Sequence, residues 1–265
     1  MLHKTIITSR DNERVKFAKR VRDGREPSVI FLEGKRLVVE ALKRNVRIIS
    51  CLVSSEFPDQ SVLDLLKDHS IDPLTVKRAI FDSICDTAGS QGIAAIAERP
   101  HCSMADLRQA ASAVLPIYLY LYEVNNPSNL GAVLRTAEAA GVTALITSPN
   151  SADAFSAKAN RAALGANLRL AVCEGVTFAN ALAWALSNGI TVTASAASAD
   201  KQHCEIDWMR PRLLVLGSEA HGLPADILSA AEESVCIEME NEVESLNLAV
   251  SVGIILFEAK RQISG

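Results

Sequence analysis

No apolar run in the 265-residue sequence is long enough to cross a bilayer. The longest candidate, Leu246 to Phe257, is interrupted by Asn247 and Ser251. The opening MLHKTIITSRDNER has no apolar core of the kind a secretory leader carries, so a cytoplasmic location is expected. Aromatics make up only 5% of the chain, which leaves the cores to small and branched aliphatics. The six cysteines lie far apart and form no CxxC pair, which excludes a disulfide framework and reads as reduced thiols. His101-Cys102 and His203-Cys204 are adjacent pairs without the usual ligand spacing, so no metal is expected. GxGxxG, GK[ST] and GxSxG are all absent, which argues against the ordinary dinucleotide, P-loop and hydrolase chemistries.

What is present is unevenly distributed. The net charge is −4, yet residues 1–47 hold thirteen Lys and Arg against six Asp and Glu. The front end therefore carries +7 and the remainder −11, an asymmetry that suits a polyanionic partner better than the total does. Arg14, Lys16, Lys19 and Arg20 are interleaved with Val15 and Phe17 in a stretch that reads as a helix from 10 to 22. Such a stretch also fits an ordinary solvated helix face.

Apolar periodicity divides the chain in two. Up to about residue 100, strands at 29–34, 46–54, 73–77 and 92–97 alternate with helices at 35–45, 59–68 and 80–85. A polar, proline-containing stretch, ERPHCSMADLRQAAS, reads as a linker over 101–113. From 114 to 265 strands again alternate with helices, which argues for α/β architecture with a parallel sheet covered on both faces.

In open parallel sheets, ligands bind beyond the C-terminal strand ends. Three such places are chemically unusual. EVNNPSNLGAVLRTAEAAG (123–141) offers a turn, a helix capped by Ser128 or Asn129, and Arg135 in the second turn. LLVLGSEAHGLP (213–224) runs from a strand into Glu219 between Gly217 and Gly222. EVESLNLAVSVG (242–253) opens a helix that Ser245 is expected to cap, with Asn247 one turn inside. Backbone donors, small polar groups and one arginine suggest a nucleotide-like ligand.

Taken together, NPSNLGAVLRTAEAAG, LLVLGSEAHGLP and CIEMENEVESLNLAVSVGIILFEAKRQ resemble the three motifs of the SpoU/TrmH family in the SPOUT superfamily, RNA 2'-O-ribose methyltransferases that use S-adenosylmethionine. The front end, with SRDNERVKFAKRVRD and FLEGKRLVVEAL, is similar to the small RNA-binding domain that precedes the catalytic domain in rRNA-modifying members. The resemblance implies a C-terminal domain (114–265) with a deep trefoil knot, a small α/β substrate-binding domain (1–100), and a homodimer whose active site borrows residues across its interface. It implies catalytic roles for Asn129, Arg135, Glu219, Ser245 and Asn247. It implies cofactor contacts from Gly217, Ile237, Met239 and Leu246, and RNA contacts from Arg14, Lys16, Lys19, Arg20, Lys35 and Arg36. The expected substrate is structured RNA, rRNA rather than tRNA. Asn125-Asn126 before Pro127, and Ala163, depart from the family's usual residues and bear on RNA positioning. A guanidinium keeps its proton to a pH above ~12, which favours Arg135 as an electrostatic stabiliser over a base. A non-catalytic RNA-binding protein with the same fold is the alternative; a dehydrogenase lacks its glycine fingerprint.

Overall fold

The computed structural model describes residues 6–87, 89–107, 115–241 and 243–264. These fall into two compact units. One gathers the described residues up to Pro100 together with Phe155–Leu168; the other gathers those from His101 to Ala154 and from Arg169 onward.

The first unit runs α1 (Glu13–Arg22), β1 (Val29–Glu33), α2 (Lys35–Lys43), β2 (Ile48–Ser54), α3 (Gln60–Asp68), β3 (Leu74–Val76), α4 (Arg78–Asp82) and β4 (Ile93–Glu98). Its sheet has the order β1-β4-β2-β3. β4 is antiparallel to both neighbours, with Ile96 opposite Phe31 and Ala95 opposite Cys51. The alanines at 94, 95 and 97 are fully buried, and α2 packs against this small-residue strand. Val15, Ala18 and Val21 form the buried stripe of α1 and join Phe31, Leu52, Phe81 and Ile84 in one core. Burial of a side chain such as Phe31 contributes roughly 1.5–3 kcal/mol.

The second unit contains β5 (Ile117–Leu121), α5 (Pro127–Ala140), β6 (Ala144–Thr147), β7 (Ala171–Cys173), α7 (Phe178–Ser187), β8 (Thr191–Ser195), β9 (Lys201–Gln202), β10 (Arg212–Leu216), α8 (Ala225–Ala230), β11 (Glu233–Cys236) and α9 (Leu248–Ser264). Between β6 and β7 the chain makes α6 (Ala157–Ala163) and a 3-10 turn (Ala166–Leu168), which belong to the first unit. The sheet order is β7-β6-β5-β10-β8-β11-β9, and every pairing is parallel. Tyr118, Tyr120, Ile146, Val192 and Leu213 enter a core with Trp184 and Ile227. Their neighbours Leu119, Leu145 and Leu214 point to the opposite face and are equally buried. Both faces are thus covered, as the near-continuous apolar strands require. Among the described residues no helix is long and apolar enough to cross a membrane.

Several boundaries differ from the sequence reading. The first helix begins at Glu13 because Asn12 accepts from the Arg14 amide. β11 ends at Cys236, leaving Ile237 and Met239 in a loop, and the short strand β9 was not anticipated. Residues 108–113 of the expected linker lie outside the described residues, but Leu107 is fully buried in the second unit's core.

Candidate active site

β10 sits between β5 and β8, and the chain leaves β5 toward β6 on one side and returns on the other. That reversal of strand order opens a crevice at the carboxyl ends. A cavity of about 440 Å³ lies there. Gly217 and Glu219 after β10, Ile237 and Met239 after β11, and Ser245 and Leu246 before α9 all line it.

The turn after β10 is built around backbone contact. Ser218 and Gly222 form an isolated bridge, and the Gly222 amide donates to the Ser218 carbonyl at 2.9 Å. A Cβ at Gly217 would stand 2.0 Å from the Gly222 oxygen and 2.6 Å from the Leu223 nitrogen. Only glycine fits, since neither neighbour is a side chain that can swing away.

This turn projects the Glu219 carboxylate onto the start of α9. One oxygen accepts from the Asn247 side-chain amide and from the Leu248 backbone N–H, each at 2.9 Å. The other accepts from the Asn129 amide of α5 at 2.6 Å. Three segments far apart in sequence therefore meet on one carboxylate. A negative group at this position also complements the helix dipole.

Two expectations about caps are corrected. Ser245 does not cap α9; Asn247 does, its side-chain oxygen accepting from Ala249 at 3.0 Å and its carbonyl from Val250 and Ser251. Ser245 faces the cavity instead. With Glu219 and Asn247 serving the first amides, the helix start is satisfied internally and is not an open anion site. α5 is likewise capped by Asn126, whose side-chain oxygen accepts from the Ser128 amide at 2.9 Å, with Pro127 at the first position. Asn126, one of the two departures from the family pattern, thus still fills a capping role that aspartate would also fill. The other, Ala163, is fully buried at the end of α6.

Arg135 stands apart from this network. It is exposed on α5 and does not line the cavity of its own chain. Six residues on a helix rotate a side chain by about 240°, so Arg135 leaves α5 on a different side from Asn129. Among the described residues no hydrogen bond or ion pair engages it. α5 packs along α9, where Lys260 donates to the Ala139 carbonyl at 2.9 Å. Val250 and Phe257 stay 49% exposed on α9, two turns apart on one side.

Sequence reasoning missed the fourth wall of the cavity, Ser195 to Ser198 at the carboxyl end of β8. The small-residue run SAAS at a strand end was the available clue. His221 also lines the cavity but is exposed.

Of the six cations expected to contact RNA, three are already engaged. Lys16 pairs with Glu13 at 3.3 Å, Arg20 with Glu26 at 2.8 Å, and Lys35 with Asp59. Arg14, Lys19 and Arg36 have no ion-pair partner among the described residues. No group of three or more His, Cys, Asp or Glu among those residues is placed to hold a metal.

The SpoU rRNA Methylase family matches residues 116–257, and the RNA 2'-O ribose methyltransferase substrate binding family matches 31–102. The 23S rRNA (guanosine(2553)-2'-O)-methyltransferase RlmP of Bacillus subtilis is 27% identical over 259 residues, covering 96% of this chain and 98% of its own. The 23S rRNA (guanosine-2'-O-)-methyltransferase RlmB of Shewanella oneidensis is 29% identical, covering 84% and 94%. Among solved structures, the AdoMet-bound rRNA methyltransferase from Sinorhizobium meliloti superposes with a TM-score of 0.87 at 26% identity, over 98% of both chains.

Proposed function

The chain belongs to the SpoU rRNA methylase family, and we propose that it methylates a ribose 2'-hydroxyl of structured RNA, rRNA rather than tRNA, using S-adenosylmethionine. The observation that carries this reading is the cavity at the ends of β10 and β11, with the Asn129–Glu219–Asn247 network at its edge.

The lining suits this cofactor. Ile237, Met239 and Leu246 offer apolar surface for a purine, while the hydroxyls of Ser195, Ser218 and Ser245 suit its polar groups. The volume falls within the ~300–1,000 Å³ usual for small-ligand pockets. Bound there, S-adenosylmethionine supplies an electrophilic sulfonium methyl group. Glu219 holds the three segments in register, and Asn247 fixes the start of α9.

A 2'-hydroxyl is a weak nucleophile at neutral pH, so the charge developing on its oxygen needs a cation nearby. Arg135 is the cation we assign to that task, together with orienting the RNA phosphate; the proton passes to phosphate or water. Because Arg135 stands outside its own chain's cavity, it serves the cavity of a second copy in a homodimer. The exposed Val250 and Phe257 on α9 support such an interface. The trefoil knot, a cytoplasmic location and the assignment of substrate binding to the first unit belong to the same reading.

The test is methyl transfer from labelled S-adenosylmethionine to unmodified 23S rRNA transcript, with the product mapped for 2'-O-methyl ribose. Label at one ribose is expected. Tight RNA binding without any cofactor binding would replace this reading with the non-catalytic alternative.

A further inference from the structure

A second cavity, of about 400 Å³, opens in the first unit where β1 runs into α2. We propose that it seats a single unstacked nucleotide of the RNA, with the base inside and its phosphate on Arg36. This rests on the RNA-directed reading above and adds where the first unit reads its substrate.

The walls have the chemistry a base requires. Leu37 of α2 and Leu164, just beyond α6, supply apolar faces. Arg161 of α6 supplies a planar guanidinium that is held in place: its Nη1 lies 3.3 Å from Asp86 Oδ2 and 3.8 Å from Glu33 Oε2. Bases unpaired from a helix stack on such guanidinium planes and apolar surfaces.

Polar edges converge on the same space. The Glu33 side chain is only 5% exposed. Its carboxylate accepts from the Asp86 amide at 3.1 Å and from the Thr87 amide and hydroxyl, which fastens the 86–87 loop as one rim. The Gln91 side-chain oxygen accepts from the Lys35 backbone amide at 2.8 Å, which leaves its NH₂ to donate to a ligand. A Cβ at Gly34 would lie 3.0 Å from that same oxygen, and Gly34 has φ +96°, so the rim depends on glycine there. Arg36 stands exposed at the mouth with no ion-pair partner among the described residues. Lys35, beside it, is tied to Asp59 and is not available in the same way.

A bare phosphate would leave the two leucine walls uncovered, and a duplex would not enter a space of this size. One nucleotide satisfies both the cations and the apolar faces. The site is assembled from 33–91 and 161–164, so it straddles the two stretches matched by the substrate-binding and methylase families.

The test uses full-length protein with labelled leucine methyl groups, titrated with GMP, AMP, CMP and UMP. In parallel, affinity for 23S rRNA transcript is measured for wild type, Leu164→Trp and Arg161→Gln. At least one mononucleotide should shift the Leu37 and Leu164 methyl signals, and both substitutions should weaken RNA binding by roughly 10-fold or more. Cofactor affinity should stay at the wild-type value in both variants, which shows that they are folded. Leucine signals unmoved by all four mononucleotides, or unchanged RNA affinity in the folded variants, would overturn the proposal. Neither readout requires methyl transfer, so a wild-type protein that transfers no methyl group would count against the proposed activity and not against this site.

Discussion

Where β10 runs into the 217–222 turn, the wall combines a glycine-dependent backbone turn, serine hydroxyls and the apolar side chains of Ile237, Met239 and Leu246. Where β1 runs into α2, it is guanidinium, carboxylate and amide. Both are strand-to-helix mouths of similar volume. The first recognises by shape and fixed dipoles, which suits a ligand that is the same in every turnover. The second offers one clamped guanidinium, Arg161, one unpaired one, Arg36, and two leucine faces, which suits a partner that brings a phosphate and a base.

Substitutions separate the two mouths. The largest expected effect is at Arg135: changing it to Ala should lower single-turnover methyl transfer by about 10²–10³-fold, since it removes a charge that acts only as the oxygen becomes negative. Cofactor binding, measured by calorimetry, should not change. Arg135→Lys should keep the shape of the pH–rate profile; a profile shifted toward the lysine range would make Arg135 the base.

Gly217→Ala comes next. Its Cβ cannot share space with the Gly222 carbonyl, so the turn must move. Overpacking of this kind costs about 1–3 kcal/mol. Cofactor affinity should fall, while mononucleotide binding at the second cavity stays intact. Loss of both together would mean global unfolding and would erase the contrast.

Glu219→Gln should have a smaller effect, about 1–2 kcal/mol of stability, because it weakens charge-assisted hydrogen bonds from Asn129, Asn247 and Leu248. A lowered melting temperature with the fold retained is the expected readout.

The smallest concerns Asp59 beside the second mouth. Hydrogen bonds from Lys35 first, then from Ser61, hold its carboxyl down at about 2. A depressed carboxyl pKa contributes stability above the ordinary carboxylate range, and that contribution is lost as pH falls from ~4 toward the folded-state value. Acid titration of Lys35→Met should show this loss reduced, the Ser61 and Val62 hydrogen bonds accounting for what is left.

Much of the architecture was legible because most strands are short apolar runs and the longer helices carry a 3.6-residue stripe, whereas β9, a Lys-Gln pair, has no such signal. The α9 cap was misread for a physical reason. Ser245 and Asn247 both cap well by local chemistry, and the choice was made by Glu219, whose carboxylate arrives from 28 residues away. Sequence also marked Arg135 as important but could not say which side of α5 it leaves by. The second cavity was invisible beforehand because Arg161 and Leu164 reach it from a segment that returns to the first unit.

The central claim is that one chain's cavity works with another chain's Arg135. Mixing Arg135→Ala and Gly217→Ala proteins after dissociation and reassociation, at a cofactor concentration too low to fill the Gly217→Ala cavity, tests it directly. In a mixed dimer both defects fall in one composite site and the other is whole, so random pairing should restore about a quarter of the wild-type rate. Activity no higher than that of either variant alone would contradict the account.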